Sequence, residues 1–460
     1  MTNHQRPPAE TGRTEHSRAR LADTFARLLD PNNTTAATPH PPAAAPARQG
    51  WPGLYLGAGR YGPVTAGPEH HALILGPPRS GKTTRLAVPN LLAHPGAAVV
   101  TSTKTDIAAA TWPTRRQRGQ GWLWDPTGTL NPPDDIHPLR WSPVVGCQSW
   151  DNAVRRAHTL ATAARPAGPT HLGQSDIHWI ERAQALLAPL LHAAAIADAE
   201  LAVVAAWLHR RELLQPLSLL HEQGNPIAAN ILQGVAHTDP REQSGIFSTA
   251  DGLLAAYRAE AALATTQNPN FEPDAFAAST DTIYIVAPTT TQTLHAPLVV
   301  ALLDQIRTAT YQQPPNPPVL LAVDELANIA PLPDLPTTLA EGASQGIVIL
   351  ACLQDLSQAR QRWGTAADGF LTLFTHKIIL PGIADTTTLK QISTLAGDID
   401  ITYRSTGRPV HRIARTDPTY NLAVQRRPRL PPDTIAAGQA GTALWLNRTT
   451  PRHVQLPPWQ

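Results

Sequence analysis

The sequence predicts an α/β fold with a mostly parallel sheet, an inserted all-α domain and a disordered N-terminal tail. Three observations predict it. Short apolar runs alternate with helical stretches, as in a parallel sheet with crossover helices. Between Asp151 and Arg258 the strand signals stop and helical periodicity takes over. Residues 1–50 are rich in Pro, Ala, Thr and Arg with few large apolar groups, too few to offset the entropy of ordering.

Within the tail, one helix is expected at Ser17 to Leu29. Buried strands are expected at His71 to Leu75 (HALIL), Ala97 to Thr101 (AAVVT) and Gly121 to Trp124 (GWLW). The helical stretch follows, with Trp179, Ala183, Leu186, Leu187 and Leu190 on one face. Strands return at Thr282 to Ala287 (TIYIVA), Val319 to Val323 (VLLAV), Ile347 to Leu353 (IVILACL) and His376 to Leu380 (HKIIL). One late strand is expected near Thr442 to Leu446. The expected division is a tail over 1–50, a first part of the sheet domain over 51–145, an inserted helical domain over 146–258, and a second part over 259–460.

At 460 residues the chain is long enough for two or three domains. Hydrophobic residues at 42% and charged ones at 16% place it among globular proteins, and its 46 prolines point to loops and tails. A net charge of +2 is too small to identify a polyanion partner by itself. Cys147 and Cys352 are the only cysteines, which excludes a disulfide framework or a CxxC site and fits a reducing compartment. The first residues carry no apolar core of a secretory signal. The most apolar long stretch, Leu186 to Leu208, is interrupted by His192, Asp198 and Glu200, so no membrane span is expected and the protein is expected in the cytoplasm.

Chemistry concentrates in one segment. Gly76-Pro77-Pro78-Arg79-Ser80-Gly81-Lys82-Thr83 matches G-x-x-x-x-G-K-[ST] and lies between the strand HALIL and a helix beginning near Lys82. Glycines let such a loop curl so that backbone N–H groups face a phosphate, and the following helix adds its positive end. The nucleotide-binding stretch therefore runs from Gly76 to Thr84, with ATP and Mg²⁺ as expected cofactors. Lys82 is expected to reach the β- and γ-phosphates and Thr83 to offer its hydroxyl to Mg²⁺.

A second acidic site must hold the metal and activate water. The run Val319 to Val323 leads directly into Asp324 and Glu325, so Asp324 is expected at the Mg²⁺ water shell and Glu325 as the base for the attacking water. Gln354 ends the next strand at the sheet edge where open α/β folds bind ligands. It is placed there either to hydrogen-bond the γ-phosphate or lytic water, or as a solvated loop residue. Lys104 and Asp106 follow a strand expected to neighbour the first, and so lie near the phosphates or form a loop ion pair. No HExxH or CxxC spacing appears among the eighteen histidines and two cysteines, so no other metal is expected.

Six blocks carry more specific wording: LILGPPRSGKTTRLAVPNLL at Leu73 to Leu92, VVTSTKTDIAAAT at Val99 to Thr111 and RWSPVVGC at Arg140 to Cys147. DELANIAPLPDLPTTLAEGASQGI at Asp324 to Ile347, LQDLSQARQRWG at Leu353 to Gly364 and HKIILPGIADTTTLKQISTLAGD at His376 to Asp398 complete them. In these blocks the chain resembles the TraG/TraD coupling proteins of type IV secretion systems, especially actinobacterial forms. The resemblance implies a RecA-like P-loop NTPase core, an inserted all-α domain that meets cargo or relaxosome proteins, and a partner-recognition region in the C-terminal half. It also implies a hexamer moving single-stranded DNA or relaxase–DNA cargo, with a type IV secretion channel or a membrane-anchoring partner at the inner face of the cell membrane.

Two departures stand out. Family members usually begin with membrane helices, where this chain has its proline-rich segment. Many also carry an arginine finger in the stretch corresponding to Glu341 to Gly346, which here has no arginine; Arg360 and Arg362 are the nearest substitutes, or else belong to a solvated helix face. Arg404, Arg408, Arg412, Arg415, Arg426, Arg427 and Arg429 make the C-terminal region locally basic, as a phosphate contact or as a solubilising surface. Trp445 and Trp459 are expected to pack. The expected function is an ATP-hydrolysing conjugation motor; the alternative is a nucleotide-dependent cargo-recognition module without processive translocation.

Overall fold

A computed structural model describes residues 51–164 other than 132 and 134, residues 174–407 and residues 419–458. The tail and its helix, Arg408, Arg412, Arg415, Trp459 and the side chain of Arg404 lie outside this description.

The strands are β1 (Tyr55–Gly59), β2 (Gly62–Thr65), β3 (Ala72–Leu75), β4 (Ala98–Ser102), β5 (Gly121–Trp124), β6 (Ile136–Pro138) and β7 (Thr282–Val286). They continue as β8 (Val319–Val323), β9 (Ile347–Leu353), β10 (His376–Ile379), β11 (Asp398–Gly407), β12 (Thr419–Pro428), β13 (Thr442–Asn447) and β14 (Thr450–Gln455). All but β11 and β12 join one sheet in the order β2-β1-β14-β13-β10-β3-β9-β8-β4-β7-β5-β6. From β10 to β6 every pairing is parallel, while β13, β14, β1 and β2 extend the edge in antiparallel register.

The parallel strands read as unbroken apolar runs because both faces of the sheet are covered. Leu73, Leu75, Val99, Ile283, Leu321 and Ile349 enter one core, which continues into the helical segment. Ile74, Val100, Tyr284, Leu320, Leu350 and Ile378 enter the other. Each such fully buried side chain contributes about 1.5–3 kcal/mol relative to exposure.

Between β6 and β7 the chain is helical at Trp150–Ala163, Gln174–Ile196, Leu201–Arg210, Leu214–Gln223, Pro226–Ala236 and Pro240–Leu253. Two of these helices start sharply. The side chains of Asn225 and Asp239 accept hydrogen bonds from Ile227 N and Arg241 N, and Pro226 and Pro240 open the first turns. Ala183, Leu186, Leu187 and Leu190 are buried on the expected face, with Trp179 packed beside them.

Every strand expected from an apolar run is present. The others, β1, β2, β6, β11, β12 and β14, are short, glycine-rich or polar, and are held by their partners rather than by local pattern. One adjacency differs from expectation: β4 does not neighbour β3, because β9 and β8 lie between them. The acidic strand β8 pairs directly with β4, so the end of β4 lies beside Asp324 rather than beside β3.

Candidate functional site

Strand β3 delivers the chain to Gly76 at the carboxyl edge of the sheet, where Gly76 N donates to Leu353 O at 3.1 Å. A Cβ at Gly76 would lie 2.8 Å from both Leu380 Cβ and Ser80 Oγ, so only glycine fits. Arg79 and Gly81 take left-handed conformations (φ +62° and +94°), which turns the loop back toward the helix that starts at Thr83. That helix opens with a wide π-turn over Thr83–Ala87 and continues as α-helix over Val88–Ala93.

Lys82 is buried, and its Nζ donates to Gly76 O at 2.7 Å and Pro77 O at 3.0 Å. The ammonium therefore curls over its own loop on neutral acceptors. Ser80 Oγ is buried in the same loop with no hydrogen-bond partner. A loop with an orphan hydroxyl, a buried cation and no room for a side chain at Gly76 fits a polyphosphate.

Two strands away, β8 ends at Asp324 and Glu325. Thr83 Oγ1 donates to Asp324 Oδ2 at 2.8 Å, and Thr101 Oγ1 donates to Asp324 O at 2.8 Å. A hydroxyl and a carboxylate side by side are hard oxygen ligands, the donor set that Mg²⁺ takes. Burial pushes the Asp324 carboxyl above its ordinary range, opposed by the Thr83 hydrogen bond and the Lys82 charge. Asp106, exposed beyond β4, raises it further.

Glu325 adopts a left-handed backbone (φ +54°, ψ +47°) that breaks the strand and starts a short helix, Leu326–Ile329. Its carboxyl is raised by burial and then by Asp324, and lowered by Lys82, Gln354 and Asn328. The side chain of Gln354 hydrogen-bonds Glu325, and Asn328 Nδ2 donates to Glu325 Oε2 at 3.3 Å. Gln354 N in turn donates to Gln358 Oε1 at 2.9 Å. Lys82, Thr83, Asp324, Glu325 and Gln354 thus come together from three strand ends.

Thr101, Asn328 and Gln358 were not among the expected site residues. Thr101 lies next to last in an apolar strand and gives no motif; Asn328 carried a signal, an amide one helical turn after the acidic pair. The two arginines considered as substitutes for the missing finger are engaged within the chain. Arg360 pairs with Asp385 at 2.8 Å, and Arg362 donates to Ala163 O at 2.9 Å.

The family model described as type IV secretory system conjugative DNA transfer matches residues 26–444. The chain belongs to this family. Among curated relatives it is similar to the conjugal transfer protein TraG of Escherichia coli, 23% identical over 369 residues covering 70% of this chain and 54% of that one. The chain therefore spans about half the length of that relative.

Among solved structures of conjugative proteins, the fold is similar to the bacterial conjugative coupling protein TrwBdeltaN70 in its unbound monoclinic form. That match has a TM-score of 0.68 at 18% identity and covers 88% of each chain. It is also similar to the plasmid coupling protein TrwB in complex with ADP and Mg²⁺, with a TM-score of 0.63 at 19% identity over 85% of this chain and 86% of that one. At these identities the likeness is one of fold. Among the described residues of this conjugative-transfer family member, no helix is long and apolar enough to cross a membrane.

Proposed function

We propose that this chain is a Mg²⁺-dependent ATPase whose hydrolysis drives single-stranded DNA, or a protein–DNA cargo, during conjugative transfer. The observation that carries the reading is the hydrogen bond from Thr83 to Asp324, set between the buried Lys82 and Glu325. The solved TrwB complexes with ADP and Mg²⁺ and with a non-hydrolysable ATP analogue support it.

In this reading the residues from Gly76 to Thr84 cradle the phosphates. Lys82 exchanges its two carbonyl partners for β- and γ-phosphate oxygens, which are stronger acceptors because they are charged. Thr83 and Asp324 hold the metal, which when bound neutralises charge on the phosphates. Glu325 takes the proton of the attacking water, and burial suits it to that role by strengthening its hold on a proton. Gln354, beside Glu325, orients that water or the γ-phosphate.

Residues 51–145 and 259–460 form the two parts of the NTPase domain and 146–258 the cargo-facing inserted domain, the assembly being a hexamer at the cytoplasmic side of the membrane. With no arginine between Glu341 and Gly346, another residue supplies the charge of the finger or turnover is slow. ATP turnover with and without single-stranded DNA tests the reading. A cargo-recognition module would bind nucleotide and show no stimulation by DNA.

A further inference from the structure

We propose that Asn328 is a positioning residue for Glu325, aiming its carboxylate at the water that attacks ATP; this rests on the ATPase reading above. Glu325 is the last residue before the helix Leu326–Ile329, and its left-handed backbone turns it out of strand β8. A carboxylate on such a break has no strand neighbour to fix its rotamer. Two carboxamides hold it: Asn328 Nδ2 donates to Oε2 at 3.3 Å, and the Gln354 side chain bonds the same carboxylate.

The two amides differ in how they are held. Gln354 follows Leu353 at the end of the neighbouring strand, where the Leu353 carbonyl accepts from Gly76 N. In the ATPase reading, a Gln354 that engages the nucleotide or the water gives up its hold on Glu325. Asn328 belongs to the same turn as Glu325, since Asn328 N and Ile329 N both donate to Glu325 O at 2.9 and 3.0 Å. It moves with the base and keeps one oxygen occupied, leaving the other to accept a proton.

The test compares the steady-state ATP turnover of wild-type protein with that of Asn328→Ala and Asn328→Gln. For Asn328→Ala the expected result is a fall in kcat of about tenfold, part of the ~10²–10⁴ a placed base supplies, with KM unchanged. Asn328→Gln keeps the donor and recovers part of the rate.

A crystal structure of nucleotide-free Asn328→Ala gives a readout apart from turnover: the Glu325 carboxylate leaves its place between the amides. Wild-type kcat and Glu325 position in Asn328→Ala would overturn the positioning role alone. A wild-type protein that binds ATP and never hydrolyses it overturns the ATPase reading and this role together.

Discussion

Thr83 Oγ1 and Asp324 Oδ2 meet at 2.8 Å across 241 positions of sequence. The contact joins the helix after the Gly76–Lys82 loop to the end of β8, with β9 lying between β3 and β8. It places a hydroxyl and a carboxylate where one cation would take both.

Thr83→Ala and Asp324→Asn should each weaken Mg²⁺-dependent nucleotide binding. Lys82→Ala should lower turnover by at least about 10², the scale of losing one charge-stabilising group. Titration of a fluorescent ADP analogue with and without Mg²⁺ checks the first pair. Equal affinity of wild type and Asp324→Asn in Mg²⁺ would remove Asp324 from the metal site.

Glu325→Gln should retain nucleotide binding and stop hydrolysis. It should also raise the melting temperature of the nucleotide-free protein. Burial and Asp324 hold the folded-state pKa of Glu325 above its unfolded value, so the charged form is disfavoured in the fold. Its charge therefore costs stability above that folded pKa, and the cost lessens as pH falls through it. Calorimetry at neutral pH checks the sign; a lower melting temperature for Glu325→Gln would contradict it.

Two buried histidines predict loss of stability in acid. Burial lowers His71 to about 4, and burial with the Arg115 charge lowers His94 to about 3. Both folded-state values lie below the unfolded one, so the unfolded chain binds more protons in this range. Stability is full above pH 6.5 and declines toward pH 4, by roughly 1.4 kcal/mol per pH unit for each histidine inside its window. Urea midpoints measured at pH 7, 6 and 5 check this, and a His71→Asn variant should show the shallower slope.

Trp363→Ala should destabilise the protein by about 3 kcal/mol. The indole packs on Phe370 and its Nε1 donates to Leu332 O at 2.8 Å, joining the helix after Gln354 to the segment after Glu325. Urea denaturation checks the size. A change under about 0.5 kcal/mol, the range of ordinary surface substitutions, would show that this junction does not hold the two segments together.

The Gly76–Thr83 loop and the acidic pair were legible because their residue types are constrained at fixed spacing beside apolar strands. Gly76 admits no side chain, and Asp324 and Glu325 end a run of five buried residues. Strands buried on both faces were legible for the same reason. The hairpin of β1 and β2 was not, since its glycines carry no apolar pattern and its edge is set by pairing with β14 at the far end of the chain.

Strand order was also out of reach. No local feature of AAVVT says that β4 pairs with β8 and β7 rather than with β3. Thr101 shows the consequence: its bond to the Asp324 carbonyl exists only because β4 and β8 are neighbours. The residues considered for the absent finger show the limit of proximity in sequence, because Arg360 follows Gln354 closely yet is committed to Asp385.

The central claim is tested most directly by the steady-state ATPase rate of purified protein with and without single-stranded DNA, beside the Lys82→Ala control. The account predicts turnover that DNA stimulates and that Lys82→Ala abolishes. ATP binding with negligible turnover, unchanged by DNA, would contradict a motor and leave a nucleotide-dependent recognition module.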